Sequence, residues 1–168
     1  RAMALGEDIR GGQPTPGNIE GGLTSIEEKS LGCIHKSGTA PFQGVLQYAD
    51  IPTEKGLFIM DTPGQDIESI TGMVAGGAQV VIFTTGRGTP TGNPLAPVIK
   101  LTGNFHTFKN MEDNIDFDVS EIVSGHKTIK EMGEKLFEEI VEVCNGKITK
   151  AEALKHREFC IYKIAPTF

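Results

Sequence analysis

Two short apolar runs dominate the middle of the chain. Gly56-Leu57-Phe58-Ile59-Met60-Asp61 and Gln79-Val80-Val81-Ile82-Phe83-Thr84 are continuous rather than alternating. That pattern predicts strands buried on both faces. Between them, Thr62-Pro63-Gly64 breaks the first run, and Asp66 stands as an N-cap ahead of Ile67, Ile70, Met73 and Val74 at helical spacing. Gly76-Gly77 closes that helix. The segment therefore reads as a βαβ unit with parallel strands and a right-handed crossover.

Other elements flank this centre. Thr24-Ser25-Ile26-Glu27 has the form of a capping box and starts a helix that runs toward Ile34 and ends before Gly38. A strand is predicted over Phe42 to Ala49, a further one over Pro97 to Leu101, and a short helix over 105–112. Thr128 and Glu131 cap a helix over 129–144, with Ile129, Met132, Leu136, Phe137, Ile140, Val141 and Cys144 as its apolar stripe. Thr149 with Glu152 opens a short last helix, and Phe159 to Ile164 reads as a final strand. The stretch 1–22, rich in Gly, Pro, Asn and Asp, reads as an extended arm, and 23–168 as one α/β domain. Alternating strands and helices predict a layered α/β/α fold around a mainly parallel, Rossmann-like sheet.

Composition narrows the function. The 168 residues suit one domain, since domains commonly run roughly 100–200 residues. The net charge of −6, with lysines scattered among acids, leaves no basic stripe for nucleic acid. No apolar run is long enough for a transmembrane helix. Cys33, Cys144 and Cys160 are odd in number and widely spaced, which points to reduced thiols rather than a disulfide or zinc framework. Cys33 reads as a packing residue of its helix.

In open α/β sheets ligands bind outside the carboxyl ends of the strands. Three loops should leave such ends: Asp61 to Asp66, Thr84 to Thr89, and Thr102-Gly103-Asn104. In the middle loop Gly86 and Gly88 flank Arg87, so the backbone can approach a ligand closely. Thr84, Thr85 and Thr89 can donate to an anion, and the Arg87 guanidinium matches a carboxylate or phosphate. Asp61-Thr62-Pro63-Gly64 also resembles a nucleotide-hydrolase motif, but the phosphate loop it requires is missing, with His35 where the second glycine belongs. His35 and Lys36 close a helix, where positive charge is favourable in any case. They are equally suited to act as a base or a carboxylate anchor.

Several longer strings carry a family resemblance. Gly17-Asn18-Ile19-Glu20-Gly21-Gly22-Leu23-Thr24-Ser25-Ile26-Glu27-Glu28-Lys29-Ser30-Leu31-Gly32, Lys36-Ser37-Gly38-Thr39, Phe83-Thr84-Thr85-Gly86-Arg87-Gly88-Thr89-Pro90 and Pro97-Val98-Ile99-Lys100 occur in order. So does the acidic stretch from Met111 to Asp118. Together they resemble the C-terminal part of the altronate and galactarate dehydratases. The resemblance implies a cytoplasmic hydro-lyase that removes water from an aldonic or aldaric acid to give a 2-keto-3-deoxy acid. It implies a divalent metal, iron(II) or manganese(II), a homo-oligomer, and preceding regions without which the chain is not expected to act. A related branch splits sulfite from sulfolactate, and a non-catalytic sugar-acid-binding or dimerisation module is the remaining alternative. On this reading Arg87, Thr84, Thr85, Gly86, Gly88 and Asn104 hold the substrate. Lys36 or His35 moves the proton, and Glu28, Asp61 and Asp66 are candidate metal ligands.

Overall fold

Strand Val98–Thr102 carries a lysine and a threonine, yet all five of its residues are buried. It is the centre from which the rest of the described fold is understood. The structure, a computed structural model, describes Ala4, Gly6, residues 14–20 and residues 22–161. Its elements run α1 (Pro16–Glu20), α2 (Ile26–Lys36), β1 (Phe42–Leu46), β2 (Leu57–Met60), α3 (Asp66–Ala75) and β3 (Val81–Thr84). Then follow β4 (Val98–Thr102), α4 (Phe105–Asn110), β5 (Phe117–Asp118), α5 (Ser120–Val123), α6 (Ile129–Cys144) and α7 (Lys150–Ala153). The chain divides into two compact units, the second being Gly44–Ile161 and the first containing the residues up to Gln43.

In the first unit, α1 lies within the stretch expected to be extended. Pro16 takes the first helical position, where its missing N–H is not needed. Thr15 and Asn18 cap it reciprocally: Thr15 N donates to Asn18 Oδ1 at 3.1 Å, and Asn18 N donates to Thr15 Oγ1 at 3.3 Å. The expected cap of α2 is shifted by one residue. Ser25, not Thr24, is the N-cap and accepts from Glu28 N. The returning carboxylate belongs to Glu28, whose Oε2 accepts from Thr24 N at 2.8 Å and Thr24 Oγ1 at 2.7 Å. Cys33, expected to pack, is exposed.

The second unit holds a three-stranded parallel sheet in the order β3-β4-β5, with Phe83 paired to Lys100 and Leu101 to Phe117. The central position of β4 explains its burial. Ile70 of α3 joins Val81 and Val98 in a buried cluster, with Met73, Val74 and Phe83 packed against it. Ile99 and Ile115 are also fully buried. Each such isoleucine contributes about 1.5–3 kcal/mol relative to exposure.

The βαβ expectation is corrected. β2 pairs with β1 in a separate two-stranded sheet, and β3 pairs with β4. β2 is consequently not buried on both faces, since Leu57 and Ile59 are exposed. Asp66 opens α3 as its first residue, with Gln65 in the N-cap position. The boxes at Thr128/Glu131 and Thr149/Glu152 form as expected, and α6 runs over the expected residues. Residues 159–161 have no regular structure, and the remainder of the expected last strand lies outside the described residues. The fold is thus α/β with parallel strands in small sheets. No helix among the described residues is long and apolar enough to cross a membrane.

Candidate functional site

Because β3, β4 and β5 are parallel, their carboxyl ends share one edge, and the loops that leave them are stitched together. Thr85 N donates to Leu101 O at 3.0 Å, continuing the ladder beyond β3. The carbonyl of Gly86 then accepts from Thr107 Oγ1 at 2.7 Å and from Asn104 Nδ2 at 3.4 Å. Thr85 Oγ1 accepts from Gly88 N at 2.9 Å and closes the turn. Gly88 has φ +87°, and a Cβ there would lie 2.1 Å from Met111 Sδ. A side chain there would be strained by that φ and would have to displace Met111. The turn leaves Arg87 exposed at its tip, with no ion pair among the described residues.

This geometry redistributes the roles expected of the loop. The Thr85 amide and hydroxyl and the Gly88 amide are engaged within the chain. Thr89 is buried and its hydroxyl bonds that of Thr91 at 2.8 Å, so it braces the loop rather than facing a ligand. Asn104 Oδ1 accepts from His106 N and Thr107 N, so its side chain caps α4 while its amide holds Gly86. Arg87, Thr84 and Gly86 are exposed on this loop.

Beside this loop, at the ends of β4 and β5, lies an open cleft of about 860 Å³. Gly103, Asp118, Ser120, Glu121, Ser124 and His126 are among its lining residues. Ser124 Oγ and His126 Nδ1 are 2.8 Å apart. Asp118 Oδ1 accepts from Ser120 N at 2.8 Å and fixes the wall of the cleft. Nothing in the spacing of Asp118, Glu121 and His126 marks them in the sequence as residues of one cleft.

Lys100 is a further residue whose place the sequence pattern does not by itself announce. Its side chain is fully buried, and Nζ donates to Pro90 O at 3.2 Å and Thr91 O at 3.3 Å. Burial pulls its pKa below the ordinary lysine range, against Asp116 and Glu158, whose carboxylates hold it up. The ammonium ties β4 to the segment that follows Arg87. A lysine inside a run otherwise fit for a buried strand was the signal that could have found it.

The remaining expected residues lie elsewhere. The loop from Asp61 to Asp66 leaves β2 and so issues from the other sheet, not from the edge that carries Arg87. His35 and Lys36 form the last turn of α2 in the first unit. Glu28 is held ionised below the usual carboxylate range by the Thr24 hydroxyl and amide. Among the described residues no three His, Cys, Asp or Glu side chains come together to hold a metal.

A sequence model of the family described as D-galactarate/altronate dehydratase, C-terminal, matches residues 1–167. The chain belongs to that family. It is 44% identical over 158 residues to the (2R)-sulfolactate sulfo-lyase subunit beta of Chromohalobacter salexigens, covering 94% of this chain and 41% of the relative. It is 41% identical over 145 residues to the galactarate dehydratase (L-threo-forming) of Escherichia coli K12, covering 86% of this chain and 28% of the relative. Against the altronate dehydratase of Escherichia coli K12 the identity is 36% over 154 residues, with 92% and 31% covered. These relatives are lyases by name, and the chain spans less than half the length of each.

Proposed function

We propose that this C-terminal domain holds the substrate carboxylate in a hydro-lyase that removes water from a sugar acid and leaves a 2-keto-3-deoxy acid. The observation that carries the reading is Arg87, exposed without an ion pair among the described residues, on a turn braced by Gly86 and Gly88 at the carboxyl edge of a parallel sheet. A guanidinium so placed can bind a carboxylate with two parallel N–H···O bonds, and fixed donors keep their geometry as charge builds on the substrate.

The reaction removes the proton α to the carboxylate, breaks the bond from the β carbon to its hydroxyl, and releases that oxygen as water. The resulting enol takes up a proton at the β carbon and releases its hydroxyl proton to become the 2-keto acid. Lys36 or His35 is the proposed proton carrier. Thr84 and Gly86 assist Arg87 at the carboxylate. The preceding regions present in longer relatives complete the enzyme, so the domain alone is inactive. A cytoplasmic homo-oligomer belongs to the same reading. So does a divalent metal, iron(II) or manganese(II), with donors from outside the described residues.

The 44% identity to a sulfo-lyase subunit favours a second reading, in which sulfite rather than water leaves. The full-length protein, supplied with iron(II), is assayed against altronate, galactarate, glucarate and sulfolactate for appearance of a 2-keto acid or sulfite. Formation of a 2-keto acid from a sugar acid supports the first reading, and sulfite from sulfolactate supports the second. No turnover by folded, metal-supplied protein points to a non-catalytic sugar-acid-binding module.

A further inference from the structure

The turn that carries Arg87 is held at both ends. Before it, the carbonyl of Gly86 accepts from Thr107 Oγ1 and Asn104 Nδ2. After it, the chain turns inward, and Thr89, Thr91 and Asn93 are buried. Three side chains grip the backbone of that inward run. Lys100 Nζ donates to the carbonyls of Pro90 and Thr91. His156 Nδ1 bonds the Pro90 carbonyl too, and since a carbonyl can only accept, Nδ1 carries the proton. Glu158 Oε2 accepts from Gly92 N at 2.9 Å. Residues 156–161 belong to no helix or strand, so no regular backbone ladder holds them in place. They are tied instead to this run and to α3, where Thr71 Oγ1 accepts from Cys160 N at 3.2 Å. Gly92 is where the two stretches touch, because a Cβ there would collide with the carbonyl of His156.

We infer that Glu158 and His156 are positioning residues of the Arg87 site: with Lys100 they clamp residues 90–92 and so fix where the turn presents its guanidinium. The inference rests on the proposed role of Arg87 and adds residues that act through it without touching substrate. Little slack separates the clamp from the guanidinium, since Pro90 follows closely on Arg87 and Met111 lies against Gly88 between them. A guanidinium binds a carboxylate through two parallel N–H···O bonds in one relative orientation, and a misplacement of about 1 Å can cost on the order of a hundredfold. The clamp also balances its own charge. The carboxylates of Asp116 and Glu158 favour the charged form of the buried Lys100 ammonium. Glu158 thus serves the run twice, as acceptor for Gly92 and as counter-charge to the lysine that holds Pro90 and Thr91. Glu158→Gln keeps the first task, and Glu158→Ala keeps neither.

The test is a double-mutant cycle in the full-length protein. Dissociation constants from calorimetry and kcat/KM are measured on altronate, galactarate and sulfolactate, and amide hydrogen exchange is followed over residues 84–92. Glu158→Ala should weaken binding and kcat/KM about tenfold on the acid that the wild type uses, and exchange over the turn should quicken. Glu158→Gln should restore most of that loss. In an Arg87→Ala background the same Glu158→Ala change should cost no more than about twofold, because the clamp acts through the guanidinium. His156→Ala runs the same cycle where Glu158→Ala does not fold. A loss of about tenfold that persists without Arg87, or a Glu158→Ala protein within about twofold of wild type, overturns the inference and leaves the Arg87 reading standing. An Arg87→Ala protein that keeps wild-type binding and turnover overturns that reading, and the inference with it. Absence of binding by all three acids overturns both.

Discussion

Strands β2 and β4 reverse what their compositions suggest. β2 is Leu57-Phe58-Ile59-Met60, wholly apolar, yet Leu57 is 38% and Ile59 46% exposed. β4 contains Lys100 and Thr102, and its residues are at most 8% exposed. The difference lies in the neighbours. β4 has a parallel partner on each side, whereas among the described residues β2 pairs only with β1, whose own Val45 is 68% exposed. An apolar run says that a segment suits a sheet, but the covering layers decide how deeply it is buried. The polar groups of β4 are tolerated because each has a partner: Lys100 Nζ meets two carbonyls, its backbone N–H and C=O both bond Asp116, and Thr102 Oγ1 accepts from Asn104 N.

The contrast predicts unequal responses to truncation. Lys100→Ala removes a buried ammonium, leaves the Thr91 carbonyl without its donor and opens a cavity, so it should cost about 3–5 kcal/mol in urea unfolding. Ile59→Ala in the half-exposed sheet should cost about 1 kcal/mol or less. Equal losses would break the comparison. Gly88→Ala forces a left-handed φ on alanine and drives its Cβ into Met111, for an expected loss of about 2 kcal/mol. It should also reduce substrate affinity, since the same turn presents Arg87.

The smallest effect sharpens the comparison from a purely local element. Thr128→Ala should cost about 1 kcal/mol by removing the cap of α6. The backbone and hydroxyl of Thr128 hold the Glu131 carboxyl below its usual range. That lowered value belongs to the folded state, so the contribution is complete above the ordinary glutamate pKa and fades as pH falls through the lowered one. The difference between wild type and Thr128→Ala should therefore shrink on acidification below about pH 4.5. A difference that stays constant with pH would show that the ionised Glu131 adds nothing to the cap.

What was legible in the sequence was local. The boxes at Thr128 and Thr149 and the span of α6 depend on residues within a few positions of each other. At the first cap, where Thr24 and Ser25 stand before Glu27 and Glu28, two registers satisfy the same pattern, and the structure uses the later one. Strand pairing was not legible, because the partners of β2 and β3 are fixed by distant segments. β5, two residues long, is too short to leave a periodic signal. At the site, the Arg87 turn was visible from its glycines, although Thr89 and Asn104 serve as braces. The cleft was hidden because it joins residues of two strand exits, and Lys100 because its burial depends on the Pro90 and Thr91 carbonyls, which lie outside its own strand.

The central claim is that Arg87 holds the substrate carboxylate. Its most direct test is kcat/KM of Arg87→Ala in the full-length protein, on whichever acid the wild type turns over, with folding checked by urea unfolding. The account predicts a fall of about a hundredfold or more with stability changed by no more than about 0.5 kcal/mol, since the exposed guanidinium has no ion pair to lose among the described residues. A value within a few-fold of wild type would contradict it and move the carboxylate to another part of the enzyme.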